Sequence, residues 1–248
     1  MRCCFKMAAA SVEGFTVNPE APLGTGLTRG RFVVLEGIDG CGKTTQLQAL
    51  RQWLPRSGLM APGTSLVVSR EPGGTALGQA LRELLLHPPQ GVQPLPRAEL
   101  LLYAADRAQH VEALLLPALA AGDWVLCDRF TGSTAAYQGY GRGLPLALID
   151  TLESLATGGL QADLTLWLDV SLAESRRRRR RGGQPADRIE AAGEAFMSRV
   201  ADGFATLAAQ RGWIRIEAGQ PVAAVTESCC AAIRGCVTSH CGGLWPGP

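Results

Sequence analysis

The sequence lacks several features that would assign it to a special class of protein. It has no run of about 18 apolar residues that could cross a bilayer as a helix. Its first residues, MRCCFKMAAASVEGF, lack the apolar run of a signal peptide. It contains no Cys-x-x-Cys pair and no His/Cys spacing typical of zinc ligands. We therefore expect a cytoplasmic protein whose eight cysteines are reduced thiols.

The charge balance is also nearly neutral. With 24 Lys and Arg against 22 Asp and Glu, the formal net charge is +2, which does not indicate a generally basic nucleic-acid-binding protein. The chain of 248 residues is 46% hydrophobic, which is enough to bury a sizeable core. We predict one folded domain over residues 30–235, after a disordered extension at 1–29 and before a loose tail at 236–248.

Five short apolar runs predict the strands of a parallel sheet. They are continuous rather than alternating, as in strands buried on both faces, and cover residues 31–36, 65–69, 124–128, 164–170 and 213–217. Helical stretches are predicted between and after them, at 42–54, 75–86, 96–121, 145–156, 171–181, 191–211 and 221–234. This alternation predicts a three-layer α/β/α fold with a five-stranded parallel sheet.

A phosphate-binding loop follows the first predicted strand. Residues 37–44, GIDGCGKT, match the pattern G-x4-G-K-[ST] and lead into a predicted helix. Backbone N–H groups in such a loop, with the positive end of the helix, form an anion site. We expect ATP to be bound by Gly37, Ile38, Asp39, Gly40, Cys41, Gly42, Lys43 and Thr44, with Lys43 reaching the β- and γ-phosphates.

Two residues are suited to hold Mg²⁺ beside this loop. The Thr44 hydroxyl follows the loop lysine, and Asp128 ends the third predicted strand, where a carboxylate can hold the metal through water. The sequence has no NKxD guanine signature of GTPases and is too short for the usual machinery of large ATPases. A small kinase is therefore the leading class.

An arginine-rich segment spans residues 174–190, ESRRRRRRGGQPADRIE. Six consecutive arginines exceed what one helix face can display, so several of them are expected to be only solvated. A solvated helix face and a nucleic-acid patch are both open interpretations. The glycines at 182–183 and Pro185 favour a hinged lid over the phosphates, which would neutralise charge on the transferred group and exclude water.

Several motifs together resemble the thymidylate kinase family, whose members phosphorylate dTMP. They are EGIDGCGKTTQ at 36–46, REPGGT at 70–75, LLYAADRAQH at 101–110, CDRFTGSTAAYQGYGRG at 127–143 and the segment ending DRIE at 187–190. The resemblance covers about residues 31–235. It implies a P-loop kinase that uses ATP and Mg²⁺ to convert dTMP to dTDP, a short arginine-rich lid and a homodimer formed through a helix face, for which the apolar helix 100–121 is a candidate.

The resemblance also implies roles for residues that would say little alone. Tyr103 takes the position of the aromatic residue that stacks on thymine, although its helical spacing alone would predict a core residue. Arg107 takes the position of the arginine that bonds the base edge. The other implied dTMP contacts are Thr134 and Gln138 on the base, Arg82 and Arg129 near the monophosphate, and Glu71 and Pro72 beside the sugar.

Catalytic positive charge is expected in the lid. Family members place their catalytic arginine either in the phosphate loop or in the lid, and this loop carries no basic residue among Ile38, Asp39 and Cys41. The chain therefore resembles the bacterial, lid-arginine type. The predicted catalytic residues are Lys43, Arg129, Arg178, Arg188 and Asp39, with Asp39 facing the acceptor sugar. Which of the arginines at 176–181 and 188 acts on the phosphoryl group is left open.

Three rival functions are weighed against this one. Another small nucleoside monophosphate or deoxynucleoside kinase is disfavoured by REPGGT and the AYQG segment. A nucleic-acid-binding protein with a vestigial loop is disfavoured by the intact Lys43, Thr44 and Asp128, so no nucleic-acid partner is expected. A regulatory nucleotide switch lacks a visible effector segment.

Overall fold

Five parallel strands form a single sheet through the centre of the protein. The computed structural model describes residues 29–182, 188–189 and 192–240. The strands are β1 (Phe32–Glu36), β2 (Leu66–Arg70), β3 (Trp124–Asp128), β4 (Leu164–Asp169) and β5 (Ile214–Glu217), in the order β2-β3-β1-β4-β5. In β1, Val34 pairs with Cys127 of β3 on one side and Thr165 of β4 on the other. The predicted five-stranded parallel sheet is confirmed.

Both faces are covered at the centre of this sheet, which explains the continuous apolar runs of β1 and β3. The prediction of burial on both faces is wrong for the other strands, because β4 alternates buried and partly buried residues and the edge strands β2 and β5 are partly exposed. In β1, Val33 and Leu35 belong to one hydrophobic cluster, whereas Phe32 and Val34 belong to a second cluster on the opposite face. All four side chains are at most 2% exposed. Successive side chains of a strand point to opposite faces, so helices must pack on both sides of the sheet. The three-layer α/β/α architecture follows.

Nine α-helices surround the sheet in the described part of the chain. They are α1 (Lys43–Trp53), α2 (Ala76–Leu86), α3 (Pro96–His110), α4 (Leu116–Ala120), α5 (Thr131–Thr134), α6 (Leu146–Thr157), α7 (Leu172–Gly182), α8 (Glu194–Arg211) and α9 (Val222–His240). A turn of π-helix at Val111–Leu115 joins α3 to α4, which makes the predicted segment 96–121 one continuous helical stretch. Over the described ranges, no helix has the length and apolarity needed to cross a membrane.

One helical stretch was not predicted from the sequence. After α5, a π-helical segment runs over Ala135–Gly141, and nearly every residue from 132 to 141 is buried. A helix that is buried all round has no polar face, so its sequence carries no 3.6-residue period. Its glycines also lower helix propensity, which is why TGSTAAYQGYG is typical of a loop by pattern alone.

The predicted domain ends need one correction. Helix α9 continues to His240, so residues 236–240, predicted as part of a loose tail, are helical. The physical reason is that Cys236 and Val237 are partly buried against the main hydrophobic cluster. Residues 1–28 of the predicted extension at 1–29, residues 241–248 of the predicted tail, and residues 183–187 and 190 of the predicted lid at 174–190 lie outside the described residues.

Candidate active site

The phosphate loop lies between β1 and α1 at the carboxyl end of the sheet. Helix α1 starts after Gly42, which has φ 106° and provides no side-chain cap, so the first N–H groups of the helix stay open to a ligand. Gly40 has φ 78°, and a Cβ there would lie 2.8 Å from the Ser175 carbonyl oxygen of α7. Only glycine therefore fits where α7 crosses the loop.

Lys43 is buried along the inside of the loop. Its Nζ donates hydrogen bonds to the carbonyl oxygens of Gly37 at 3.0 Å and Ile38 at 3.2 Å. The side chain is only 6% exposed, so its ammonium is held close to the loop backbone. A cation fixed beside open backbone N–H groups forms a site for polyphosphate.

A cavity of about 860 Å³, called here the large cavity, opens over this loop. Its walls come from the loop, the ends of β2 and β3, helix α7 and the turn after β5. They include Asp39, Gly40, Cys41, Gly42, Lys43, Thr44, Arg70, Glu71, Arg82, Asp128, Arg129, Arg177, Arg178, Arg179 and residues 218–222. The volume lies in the range of nucleotide-sized binding sites.

The predicted magnesium ligands line this same cavity. Asp128 Oδ1 is buried and accepts no hydrogen bond from the described residues, and Thr44 is exposed on the first turn of α1. An unpaired buried carboxylate oxygen is costly unless a cation or water satisfies it. Within the described ranges, no cluster of three or more His, Cys, Asp or Glu could hold a metal unaided. This oxygen donor set fits Mg²⁺, which takes few protein ligands together with substrate phosphates.

A second cavity, called here the small cavity, has a volume of about 80 Å³. It is lined by Asp39, Glu71, Pro72, Arg82, Leu86, Tyr103, Arg107, Arg129, Ser133, Thr134, Tyr137, Gln138 and Ile189. All eight predicted dTMP contacts are therefore brought together in one place. Four residues line both cavities, namely Asp39, Glu71, Arg82 and Arg129, so the two spaces meet at a charged border.

Arg129 occupies the centre of that border. It has φ 72°, an unusual conformation for a residue other than glycine. Its guanidinium donates to the Gly37 carbonyl oxygen at 3.0 Å and to Asp39 Oδ1 at 2.6 Å. Tyr137 donates to Asp39 Oδ2 at 2.8 Å. Burial raises the pKa of Asp39, but the charges of Arg129 and Lys43 lower it by more than burial raises it. The pKa of Asp39 therefore lies well below its usual range.

Arg107 is the centre of a buried polar network behind the small cavity. It is 2% exposed, and its Nε donates to Glu71 Oε2 at 2.7 Å. Nη1 donates to Thr134 Oγ1 at 2.8 Å and to Glu153 Oε1, and Nη2 donates to the Phe130 carbonyl oxygen at 3.1 Å. Four of its five N–H groups thus have acceptors among the described residues, which leaves one for a ligand.

The structure places Arg188 away from the phosphate loop. Its Nη2 donates to Glu99 Oε2 on α3, and its Nε donates to the Leu85 carbonyl oxygen at 2.9 Å. It does not line the large cavity. Of the two predicted catalytic arginines near the lid, the structure therefore brings only Arg178 to the loop, where Nη1 donates to the Cys41 carbonyl oxygen at 3.2 Å.

The rest of the arginine run spreads around helix α7. Arg177, Arg178 and Arg179 line the large cavity, whereas Arg180 is exposed and Arg176 pairs with Glu194 at 2.8 Å. Successive residues of a helix point about 100° apart, so six consecutive arginines cannot all lie on one face. The expectation that several of these arginines face solvent agrees with this arrangement.

Sequence reasoning missed several residues of the two cavities. Ser133, Tyr137, Leu86 and Ile189 line the small cavity, and Arg70 lines the large one. Arg70 could have been found because it ends β2, at the edge of the sheet where ligands bind. Tyr137 and Ser133 lie inside the motif at 127–143, but only the unpredicted helical segment turns them towards Asp39 and Arg129.

The fold and the paired cavities define a class of protein. A strand–loop–helix phosphate site that meets a second cavity across shared arginines is consistent with a small P-loop nucleotide kinase. A model of the thymidylate kinase family matches residues 35–229. The chain belongs to the thymidylate kinase family, as the resemblance predicted.

Individual relatives agree with this assignment. The chain is 67% identical over 193 residues to a thymidylate kinase of Synechococcus sp. (strain RCC307), covering 78% of this chain and 90% of that one. It is 62% identical over 207 residues to that of Synechococcus sp. (strain WH7803), covering 84% and 96%. The crystal structure of thymidylate kinase from Ehrlichia chaffeensis superposes with a TM-score of 0.65 at 32% identity, covering 83% of this chain and 99% of that one.

Proposed function

We propose that the protein transfers the γ-phosphoryl group of ATP to dTMP, giving ADP and dTDP, a step of dTTP synthesis. The observation that carries this proposal is the border where the large and small cavities meet, at Asp39, Glu71, Arg82 and Arg129. A phosphoryl group held on one side of it can be passed to an acceptor held on the other. The relatives named thymidylate kinase, at 62–67% identity, support dTMP as that acceptor.

The large cavity receives ATP. The loop N–H groups and Lys43 Nζ hold the β- and γ-phosphates, because they present fixed positive charge at the end of β1. Arg178 reaches this cavity from α7 and is the lid arginine that we assign to neutralising charge on the transferred group. The segment 174–190 acts as the lid in this proposal.

The acceptor phosphate lies at the border of the cavities. Arg129 and Arg82 orient it there, and one of its oxygens forms a bond to the γ-phosphorus as the bond to the bridging oxygen of ADP breaks. The acceptor is already an anion, so no strong general base is needed. Asp39 holds Arg129 in place through its carboxylate.

Mg²⁺ is the cofactor that fits the ATP side of the site, in the large cavity. When bound, it would supply positive charge to offset the negative charge that develops on the transferred phosphoryl group. The residues that would hold it are Asp128, through its unpaired Oδ1, and Thr44, through its hydroxyl.

The small cavity recognises the thymine base. Tyr103 and Pro72 supply apolar surface for a planar ring, and the remaining N–H of Arg107 is available for a base carbonyl oxygen. Gln138 directs its NH₂ group to Glu99 at 2.9 Å and so presents its carbonyl oxygen to the cavity. An acceptor at that place suits the N3–H donor of thymine and opposes the N3 acceptor of cytosine.

A panel of acceptors tests the proposal. Purified protein with ATP and Mg²⁺ is given dTMP, dUMP, dCMP, AMP or thymidine, and ADP release is followed. We expect the highest kcat/KM for dTMP and no phosphorylation of thymidine. A clear preference for any other acceptor would show that the protein is a different nucleotide kinase.

A homodimer belongs to the same proposal. Leu101 on α3 is 55% exposed and Leu116 on α4 is 45% exposed, which leaves apolar surface along this helical stretch. Charged substitutions at both positions should convert the protein to a monomer in analytical ultracentrifugation. A wild-type chain that sediments as a monomer would contradict the proposal.

The cytoplasmic location and the lack of a nucleic-acid partner stay predictions.

A further inference from the structure

A buried carboxylate, Glu99 on α3, contacts three partners that come from different parts of the chain. Its Oε1 accepts from Gln138 Nε2 at 2.9 Å, and its Oε2 accepts from Arg188 Nη2. Arg142 donates to both oxygens, at 3.3 and 3.2 Å. Glu99 is fully buried, whereas Arg142 and Arg188 are partly exposed. Glu99 itself lines neither the large nor the small cavity.

Glu99 decides which way the Gln138 amide points. A carboxylate can only accept hydrogen bonds, so Gln138 must turn its NH₂ group towards Glu99. The carbonyl oxygen is thereby directed away from Glu99, and among the described residues it receives no hydrogen bond. With an amide at position 99 instead, Gln138 could take either orientation.

Glu99 also fixes the segment that closes the small cavity. Arg188, held by Glu99, donates from Nε to the Leu85 carbonyl oxygen at 2.9 Å and from its backbone N to the Leu86 carbonyl oxygen at 3.4 Å. Its neighbour Ile189 is 4% exposed and lines the small cavity. The same carboxylate therefore touches the base-reading amide and the end of the lid.

We propose that Glu99 is a positioning residue that sets acceptor specificity, by orienting Gln138 for a pyrimidine with an N3–H donor and by holding Arg188 and Ile189 over the base. This role rests on the proposed function of the small cavity. It also gives Arg188 a place on the acceptor side, separate from the phosphoryl group.

The test compares dTMP and dCMP binding in Glu99→Gln and wild-type protein by titration calorimetry. We expect the ratio of the dCMP to the dTMP dissociation constant to fall at least about tenfold in the variant, since one oriented hydrogen bond is lost. ATP affinity should stay unchanged. Asp163→Asn is the matched control, because Asp163 is a mostly buried carboxylate outside both cavities that accepts from Arg29 and Phe32 N. It should leave both constants unchanged.

A second variant separates the contact of Glu99 with Gln138 from its contact with Arg188. Arg188→Gln leaves the Gln138 contact intact, so dTMP should bind more weakly while the dCMP to dTMP ratio stays as in the wild type. It also leaves Glu99 paired with Arg142, which keeps the test possible if Glu99→Gln does not fold. A Glu99→Gln protein that folds and keeps the wild-type ratio overturns the inference, as does an Arg188→Gln protein with unchanged dTMP affinity. Wild-type protein that does not prefer dTMP to dCMP would instead refute the proposed function.

Discussion

Replacing Arg107 by methionine should strongly destabilise the protein. The side chain is 2% exposed and is paired with Glu71 and Glu153, which are themselves buried. Methionine fills similar space but leaves Glu153 without its cation and Glu71 with His110 as its remaining side-chain partner. Removing one partner of a buried ion pair typically costs about 3–5 kcal/mol. That loss is a large part of the total for a domain whose free energy of unfolding is about 5–15 kcal/mol.

The loss should depend on pH in a defined direction. Burial already raises the pKa of Glu153 even with Arg107 in place, and without that cation the pKa rises further. A carboxyl whose pKa is raised in the folded state lowers the stability of the fold when it is ionised. The destabilisation caused by Arg107→Met should therefore shrink as pH falls from 8 towards 5.5 and Glu153 becomes protonated. Arg107→Met/Glu153→Gln should recover part of the loss at pH 8, because one of the unpaired charges is gone.

Urea unfolding followed by tryptophan fluorescence measures these differences. The matched control is Arg215→Met, which breaks an exposed pair with Asp169 at 2.7 Å. Arg215 is 60% exposed, so the urea midpoint of this variant should be nearly that of the wild type. If the midpoint of Arg107→Met lies as close to the wild type as this control, or if its loss does not change with pH, the reasoning fails.

Three further predictions concern a lid arginine, a buried aspartate and a glycine of the phosphate loop. Arg178→Gln should lower kcat for dTMP phosphorylation by about 10³-fold or more, because Arg178 lines the large cavity. Arg180 is exposed on the same helix, so Arg180→Gln should leave kcat unchanged. Steady-state kinetics measures both, and equal effects of the two substitutions would contradict the role assigned to Arg178. Burial raises the pKa of Asp106 from 3.8 to about 6, so Asp106→Asn should gain up to about 3 kcal/mol relative to wild type as pH rises from 4 to 7, seen in urea titrations. Gly40→Ala should cost about 1–2 kcal/mol from its left-handed backbone and weaken ATP binding, because its Cβ meets Ser175; wild-type stability and ATP affinity would refute this.

The sheet and the phosphate loop could be predicted from sequence because their signals are local. Each strand coincides with a short run that contains apolar residues, and its observed bounds lie within one residue of the prediction. The loop motif fixes its own conformation through glycines and an open helix end. The outer helices were predicted by the same kind of local pattern, apart from the buried segment 131–141 and the extension of α9 to His240.

The polar network of the site could not be predicted in this way. Arg107 and Glu153 are 46 positions apart and meet only because α3 packs against α6. Glu99 and Arg188 are 89 positions apart. Nothing in the local sequence distinguishes such charges from surface residues, since burial and pairing depend on tertiary packing. The resemblance predicted that Arg107 and Gln138 belong to one site, and both line the small cavity, but it left out the partners that orient them.

The position of Arg129 limits how the two substrate sites can diverge. Its backbone is held at φ 72°, and its guanidinium donates hydrogen bonds both to Gly37 of the loop and to Ser133 of the small cavity. A change at this residue therefore cannot alter the acceptor site without disturbing the donor site. A substitution of Arg129 that prevented the binding of an inhibitor filling both cavities would also weaken the binding of ATP and of dTMP. Resistance to such an inhibitor through a change at Arg129 would therefore cost enzyme activity.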